Sequence, residues 1–259
     1  MPATKKATAK KSTVKKSTAK KSTAKTRPAK VAAKAPKKAL KPQLKTSPER
    51  VAQILAGLGK AYPNATCALT HSSPWELLVA TILSAQCTDA RVNMVTPTLF
   101  RRFPTPAAMA KASLPEIEEI IRTTGFYHNK AKSISGAAKA VVERFGGEVP
   151  RTMEELLTVP GAARKTANVV LGTAYGIAVG VVVDTHVLRL TRRLEFTLNT
   201  EPKKVEQDLM KIIPKDHWIA FSHELILHGR AICIARKPRC IDCTIEKECD
   251  SSDKTWSSH

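Results

Sequence analysis

From Ser47 onward the chain alternates between helical patterns and short polar breaks. Ser47-Pro48-Glu49 reads as an N-cap, a first-turn proline and a first-turn acid. Val51, Ile54, Leu55 and Leu58 then follow at helical spacing. Residues 75–83 (WELLVATIL) are apolar on most sides, which predicts a buried helix. Ser113 with Glu116, and Thr152 with Glu155, have the spacing of capping boxes, and each precedes an apolar helical pattern. Thr200-Glu201-Pro202 opens a further helix that Pro214 ends, and residues 217–227 are helical again. The one β-like run, residues 179–183, is short and has no strand to pair with. The pattern predicts an all-α fold of ordinary helices joined by short loops.

Before Ser47 the pattern stops. Residues 1–45 hold fifteen Lys and Arg27 and no acid, while the rest of the 259-residue chain carries 27 basic and 22 acidic residues. The near-repeat KKSTVKKSTAKKSTAK has almost nothing to bury and repels itself, so residues 1–45 are expected to be a disordered Lys-rich tail. A polycation of this kind condenses on DNA phosphates and displaces their counterions. The bland alternatives are a solubilising extension or an unused upstream start, and the tail also fits a nuclear import signal. No apolar core of a signal peptide lies in residues 1–45, and no apolar run approaches the roughly 18 residues needed to span a bilayer. The expectation is a protein with no membrane partner, in a reducing compartment where thiols serve as ligands.

Two segments carry candidate chemistry. In the first, a capped helix over 153–159 runs into Pro160-Gly161-Ala162-Ala163, and a second helix over 164–175 follows at once. Two short helices about a glycine turn make a helix–hairpin–helix, whose amides and second-helix N-terminus can take a nucleic-acid phosphate. The same pattern also describes an ordinary αα-hairpin. In the second segment, Cys233, Cys240, Cys243 and Cys249 follow the pattern C-x6-C-x2-C-x5-C. Four thiols so close can hold a structural zinc or a cubane iron–sulfur cluster. The long first gap departs from the paired hooks of zinc ribbons and favours iron–sulfur.

Four motifs in order then resemble the endonuclease III family of DNA repair glycosylases. They are SSPWELLVATILSAQCTD at 72–89, GFYHNKA at 125–131, VPGAARKTANVVLGTAYG at 159–176 followed by VDTH, and ILHGRAICIARKPRC leading into the cysteines. The resemblance spans about residues 48–250. It implies two helical domains: a six-helix barrel with the helix–hairpin–helix over 67–178, and an iron–sulfur cluster domain assembled from 46–66 and 179–252. It further implies a bifunctional DNA glycosylase and AP lyase of base excision repair that removes oxidised or ring-saturated pyrimidines such as thymine glycol. Such a protein acts as a monomer on double-stranded DNA carrying damaged bases or abasic sites, in the bacterial nucleoid or the eukaryotic nucleus.

Residue by residue, the resemblance makes Lys165 the nucleophile and Asp184 its acidic partner. Gln86 fills the hole left by the displaced nucleotide, and Phe126 stands beside the orphaned base where the family usually has Leu. Gly161 and Ala163 lie in the DNA-binding hairpin, and the four cysteines hold a [4Fe-4S] cluster. Ala163 replaces a usual glycine, so a φ penalty or a pinched phosphate approach is expected there. The chemistry asks for an amine on its own account. Attack at C1′ displaces the base and leaves an imine, which acidifies the C2′ proton and permits β-elimination. Asp89 reads as readily as a helix cap as a site residue, Cys87, His71 and His186 read as structural residues, and Arg236, Lys237 and Arg239 as bases set to meet phosphates. The rivals are a monofunctional glycosylase, against which Lys165 argues, and a DNA-packaging protein with no chemistry. Deleting residues 1–45 is expected to flatten the salt dependence of non-specific DNA binding by roughly one unit of slope for each phosphate that the tail neutralises, measured by titration at several salt concentrations.

Overall fold

The structure, a computed structural model, describes residues 44–258. The expected tail lies outside the described residues apart from its last two. Of these, Lys45 donates its amide to the Glu195 carbonyl and pairs its ammonium with Asp250 and Glu195. Among the described residues there are eleven α-helices and no strand: α1 Pro48–Ala61, α2 Pro74–Leu83, α3 Asp89–Arg102, α4 Pro106–Lys111, α5 Leu114–Ile121, α6 Tyr127–Phe145, α7 Met153–Leu156, α8 Arg164–Tyr175, α9 Thr185–Arg193, α10 Pro202–Ile212 and α11 Trp218–Ala231.

The chain is all-helical because its apolar residues recur at helical spacing and its breaks are capped. The Ser47 hydroxyl accepts from the Arg50 amide, as expected, and α1 buries Val51, Ile54, Leu55 and Leu58. In α2 every residue from Trp75 on is buried except Glu76, which is why it reads as apolar on most sides. Both halves of the capping box form at Ser113. At Thr152 only half forms: the hydroxyl caps the Glu155 amide, but the Glu155 carboxylate takes the Thr152 hydroxyl instead of its backbone N–H. The helix that follows is correspondingly shorter than the expected 153–159. It closes one turn, Met153–Leu156, and passes through turns into the hairpin.

Burial resolves into two cores. The first gathers Leu69 and residues of α2 to α8, with α2 against α3, α6 and α8. The second gathers α1 and α9 to α11, so the chain enters it, leaves it and returns. Residues 179–183 make the return as extended chain without a strand partner. Val182 packs into the first core, whereas Val181 and Val183 pack into the second. The two-residue alternation that looks β-like is therefore the alternation of a segment laid between two cores, and Val182 N–H finds its acceptor in the Ser222 hydroxyl.

Two polar ties hold this arrangement, one between the cores and one within the second. Glu206 of α10 is 4% exposed, and its carboxylate accepts a fork from Arg164 (2.7 and 3.0 Å) and a third bond from Asn168 (2.8 Å), both on α8. Arg50 of α1 lies over the Phe196 ring and donates to the carbonyls of Lys45, Leu194 and Glu248, fastening the first helix to the segment bearing the cysteines. Removing one member of a buried, forked pair leaves the other charge without compensation. Glu206→Ala is expected to cost about 2–4 kcal/mol in urea unfolding, while Glu201→Ala, which breaks an exposed pair with Lys204, is expected to stay within about 0.5 kcal/mol of wild type.

Candidate active site

The hairpin between α7 and α8 turns at Gly161, whose φ is +81°. A Cβ there would sit 3.0 Å from Ser133 Cβ and 3.2 Å from Ile82 Cδ1, so both the backbone angle and the packing demand glycine. Ala162 is buried behind the turn, and its amide closes onto the Val159 carbonyl. Ala163 is the N-cap of α8 with φ −76° and ψ 170°, an ordinary extended conformation. The expected φ penalty at Ala163 is therefore absent: the left-handed position of this hairpin is Gly161. Ala163 also has no side-chain oxygen to cap with, so the first amides of α8 remain available to an anion.

Lys165 is the second residue of α8 and is exposed. Asp184 is the N-cap of α9, and its Oδ1 accepts from the amides of both His186 and Val187 at 2.8 Å. Capping leaves part of the carboxylate for chemistry, because both cap bonds fall on one oxygen and Oδ2 makes none among the described residues. Lys165, from the helix of the first core, and Asp184, from the helix of the second, line one cleft of about 620 Å³. Gln86 lines it too, as do Thr185 and His186. Adjoining it is a chamber of about 80 Å³ that shares Lys165 and Asp184 with the cleft and is also lined by Thr66, Cys67, Thr81, Val182 and His223. Burial raises the Cys67 thiol and, in His223, lowers the imidazole.

Gln86 and Phe126 share an unusual backbone. Among the described residues four non-glycine positions have positive φ: Gln86 (52°), Phe126 (49°), Glu195 (55°) and Lys237 (53°). Strain of this kind persists only where surrounding structure imposes it, and it gathers at functional tips. Phe126 is 65% exposed and follows Gly125, also left-handed. The loop is propped from below by Lys130, a buried residue whose ammonium donates to the Thr124 carbonyl at 2.8 Å and whose pKa burial lowers. Phe126 is not among the residues lining the cleft or the chamber, so it stands apart from the trio of Gln86, Lys165 and Asp184.

Cys233, Cys240, Cys243 and Cys249 all line one small cavity together with Pro238 and Lys254. None is in a disulfide. Burial pushes the Cys243 thiol up to about 12 and raises Cys233 and Cys249 as well. Among the described residues no group of three or more His, Cys, Asp or Glu is set to hold a metal ion. Arg193 donates to Cys233 Sγ at 3.2 Å, and the Thr255 amide donates to Cys240 Sγ at 3.4 Å. Arg189 donates to the carbonyls of Gly229 and Cys233, and Arg193 to that of Ile234. Both arginines are on α9, the helix that Asp184 caps. In the same loop Arg236 and Lys237 are exposed and pair with no described acid, whereas Arg239 is held by Asp242.

Sequence reasoning missed Arg189, Arg193 and Arg230. Arg230 of α11 pairs with Asp89 of α3 at 2.5 Å, and both residues line cleft and chamber. Asp89 is thus a bridging group and not a cap, since the capping hydroxyl belongs to Thr88. His71 binds the Leu69 carbonyl, a structural position, whereas Cys87 packs against the first core and also lines the cleft, as does His186. No local pattern could have found the arginines: their partners are backbone carbonyls and a carboxylate 40 or more residues away.

Residues 79–215 match the HhH-GPD superfamily of base excision DNA repair proteins. The chain is 57% identical over 204 residues to an endonuclease III from Synechocystis sp., a match covering 79% of this chain and 93% of that one. Over 202 residues it is 43% identical to the endonuclease III of Escherichia coli K12, covering 78% and 95%. Among solved structures it is similar to a trapped covalent endonuclease III–DNA intermediate, with a TM-score of 0.74 and 42% identity over 79% of this chain and 96% of the other.

Replacing Phe126 by Asn, which tolerates left-handed backbone, is expected to stabilise the fold by about 0.5–1 kcal/mol in urea unfolding.

Proposed function

The chain belongs to the endonuclease III family and is a DNA N-glycosylase with AP lyase activity in base excision repair; from that premise we propose that its cleft removes oxidised or ring-saturated pyrimidines, such as thymine glycol, through an imine at Lys165. The observation that carries this reading is that Lys165 and Asp184 face one cleft from two different cores.

In this reading the first core with its hairpin is the six-helix barrel domain, and the second, with the cysteine loop, is the cluster domain. Duplex DNA lies across the mouth of the cleft, with a phosphate on the hairpin amides and the open N-terminus of α8. Unstacking a nucleotide costs a few kcal/mol, less where the base is damaged. Gln86 enters the vacated space and Phe126 stacks on the orphaned base. Both are already displayed by strained backbone, so little reorganisation accompanies binding.

Asp184 takes the proton that the Lys165 amine must lose, on the carboxylate oxygen free of cap bonds. It also stabilises the positive charge growing on the sugar as the C1′–N bond lengthens. Its two bonds to α9 hold the carboxylate in place beforehand. The amine bonds to C1′ as the base departs with the glycosidic electron pair. The C1′–O4′ bond then opens, O4′ taking a proton, and leaves a protonated imine; this draws electrons from C2′, a proton leaves there, and the 3′ phosphate is expelled with the electron pair of its C–O bond. An abasic site enters the same sequence at imine formation, without a base to displace.

Cys233, Cys240, Cys243 and Cys249 would hold a [4Fe-4S] cluster. Four thiols around one shared cavity, with cationic and amide donors directed at two sulfurs, suit a cluster ligated as thiolates. When bound, it supplies a rigid cross-link of the loop. Through Arg189 and Arg193 that loop braces α9, and hence Asp184. Arg236 and Lys237 meet DNA phosphates from the same loop. We read the protein as a monomer acting where chromosomal DNA lies, the nucleoid of a bacterial cell or the nucleus of a eukaryotic one. No described helix is long and apolar enough to cross a membrane.

Borohydride trapping on duplex DNA carrying thymine glycol tests the reading, with wild type and Lys165→Ala. The expected result is a covalent adduct with wild type alone. Base release without an adduct would mean attack by water with Asp184 as the principal catalyst. Neither adduct nor release would overturn the proposed substrate class.

A further inference from the structure

The cleft and the chamber adjoining it share five lining residues: Ser84, Asp89, Lys165, Asp184 and Arg230. These five form the neck between the two spaces. Lys165 and Asp184 carry the chemistry already described. The Ser84 hydroxyl is committed to the Thr81 carbonyl at 2.8 Å. Asp89 and Arg230 remain, and they are bonded to each other, Nη2 to Oδ2, at 2.5 Å. Asp89 opens α3 beside the first core and Arg230 lies in the last turn of α11 beside the second. One charge-assisted bond therefore crosses the neck from wall to wall.

The chamber is suited to an uncharged base. Aliphatic Val169, Val182 and Ile226 share its lining with the hydroxyls of Thr66 and Thr81, and its charged groups are those it has in common with the cleft. The His223 imidazole is half-buried, its pKa held down by burial, so it carries no charge into the chamber at neutral pH. A base that passes from the cleft into the chamber passes these shared residues. The pair that spans the neck is within reach of water, with side chains 24% and 40% exposed for Asp89 and Arg230. An ion pair so exposed is weak enough to be parted by an incoming ligand.

We propose that the Asp89–Arg230 pair is a gate on the chamber, which a flipped base must part to enter and which an abasic sugar reaching Lys165 leaves closed. The gate thus acts on base release and not on strand nicking, and it is a specificity-determining pair, since neither residue touches the reacting atoms. This inference rests on the glycosylase and lyase reading above. Fork geometry matters less than charge here, because a single nitrogen makes the bond.

The test uses the full chain with its cluster in single-turnover reactions. Two duplexes are compared, one carrying thymine glycol and the other a preformed abasic site at the same position. Asp89→Asn and Arg230→Gln are each expected to raise the ratio of base-release rate to abasic-site nicking rate, by roughly two- to five-fold. The charge-swapped double variant, Asp89→Arg with Arg230→Asp, is expected to bring the ratio back toward wild type. Should the single variants fail to fold, Arg230→Lys, which keeps the charge, is expected to leave the ratio near wild type, and a changed ratio there would count against the gate. An unchanged ratio in the folded single variants overturns the gate alone. So does a parallel fall of both rates with a lowered melting temperature, which would make the pair a brace between the cores. A selective fall in base release would mean that the pair holds the base instead of obstructing it, and overturns the gate as well. A wild type that neither releases base nor nicks would overturn the glycosylase reading, and the gate with it.

Discussion

The buried carboxylate of Glu206 is the contact on which the cleft depends. It joins α10 of the second core to Arg164 and Asn168 of α8 in the first. Lys165 is the next residue after Arg164. The amine and the carboxylate of the cleft come from opposite cores, so their separation is set by whatever holds α8 against the second core. A forked, charge-assisted bond is suited to that task because it fixes direction as well as distance. Its strength comes with a constraint: the space around Glu206 is full. A Cβ at Gly180 would meet Glu206 Oε1 at 2.1 Å, which confines the return segment to glycine at that point.

The same logic extends from α8 to α9. Asp184 caps α9, and the helix is fastened at its other end by Arg189 and Arg193 to carbonyls of the cysteine loop. The cysteines line a cavity of their own, yet the loop that they would order is the surface against which α9 rests. In the proposed function, a cluster with no step in the reaction would in this way set where the Asp184 carboxylate stands.

Strain is distributed to match. The four left-handed non-glycine residues include Gln86 at the cleft, Phe126 on its exposed tip and Lys237 in the cysteine loop. Each is held by a firmer element: α2 runs buried into the first loop, Lys130 props the second from within α6, and the cysteines flank the third. Glu195 has the same backbone with no such role; it receives Lys45 and completes a turn after α9. Left-handed backbone alone therefore does not mark a functional tip. Exposure of the side chain, as at Phe126, is what separates display from plain turn-making.

Much was legible in the sequence because it is local. Helical spacing, caps and the glycine turn are decided within a few residues, and the structure keeps nearly all of them. The exceptions are the one-turn α7 and the half-made box at Thr152, where the chain leaves the helix through turns into the hairpin. Lys165, Asp184 and the four cysteines stood out because short motifs carry them. The division of the apolar residues into two cores was hidden, and so were the alternation of Val181, Val182 and Val183 between them and the arginines that bind distant carbonyls. Asp89 could be seen but not interpreted, since its partner Arg230 is 141 residues away. Sequence by itself determined which residues could form helices, turn, ligate or attack, because those properties belong to a residue and its near neighbours. Only the tertiary structure decided which of them face one another, because that depends on how two cores, separately buried, are held together by a few buried polar bonds.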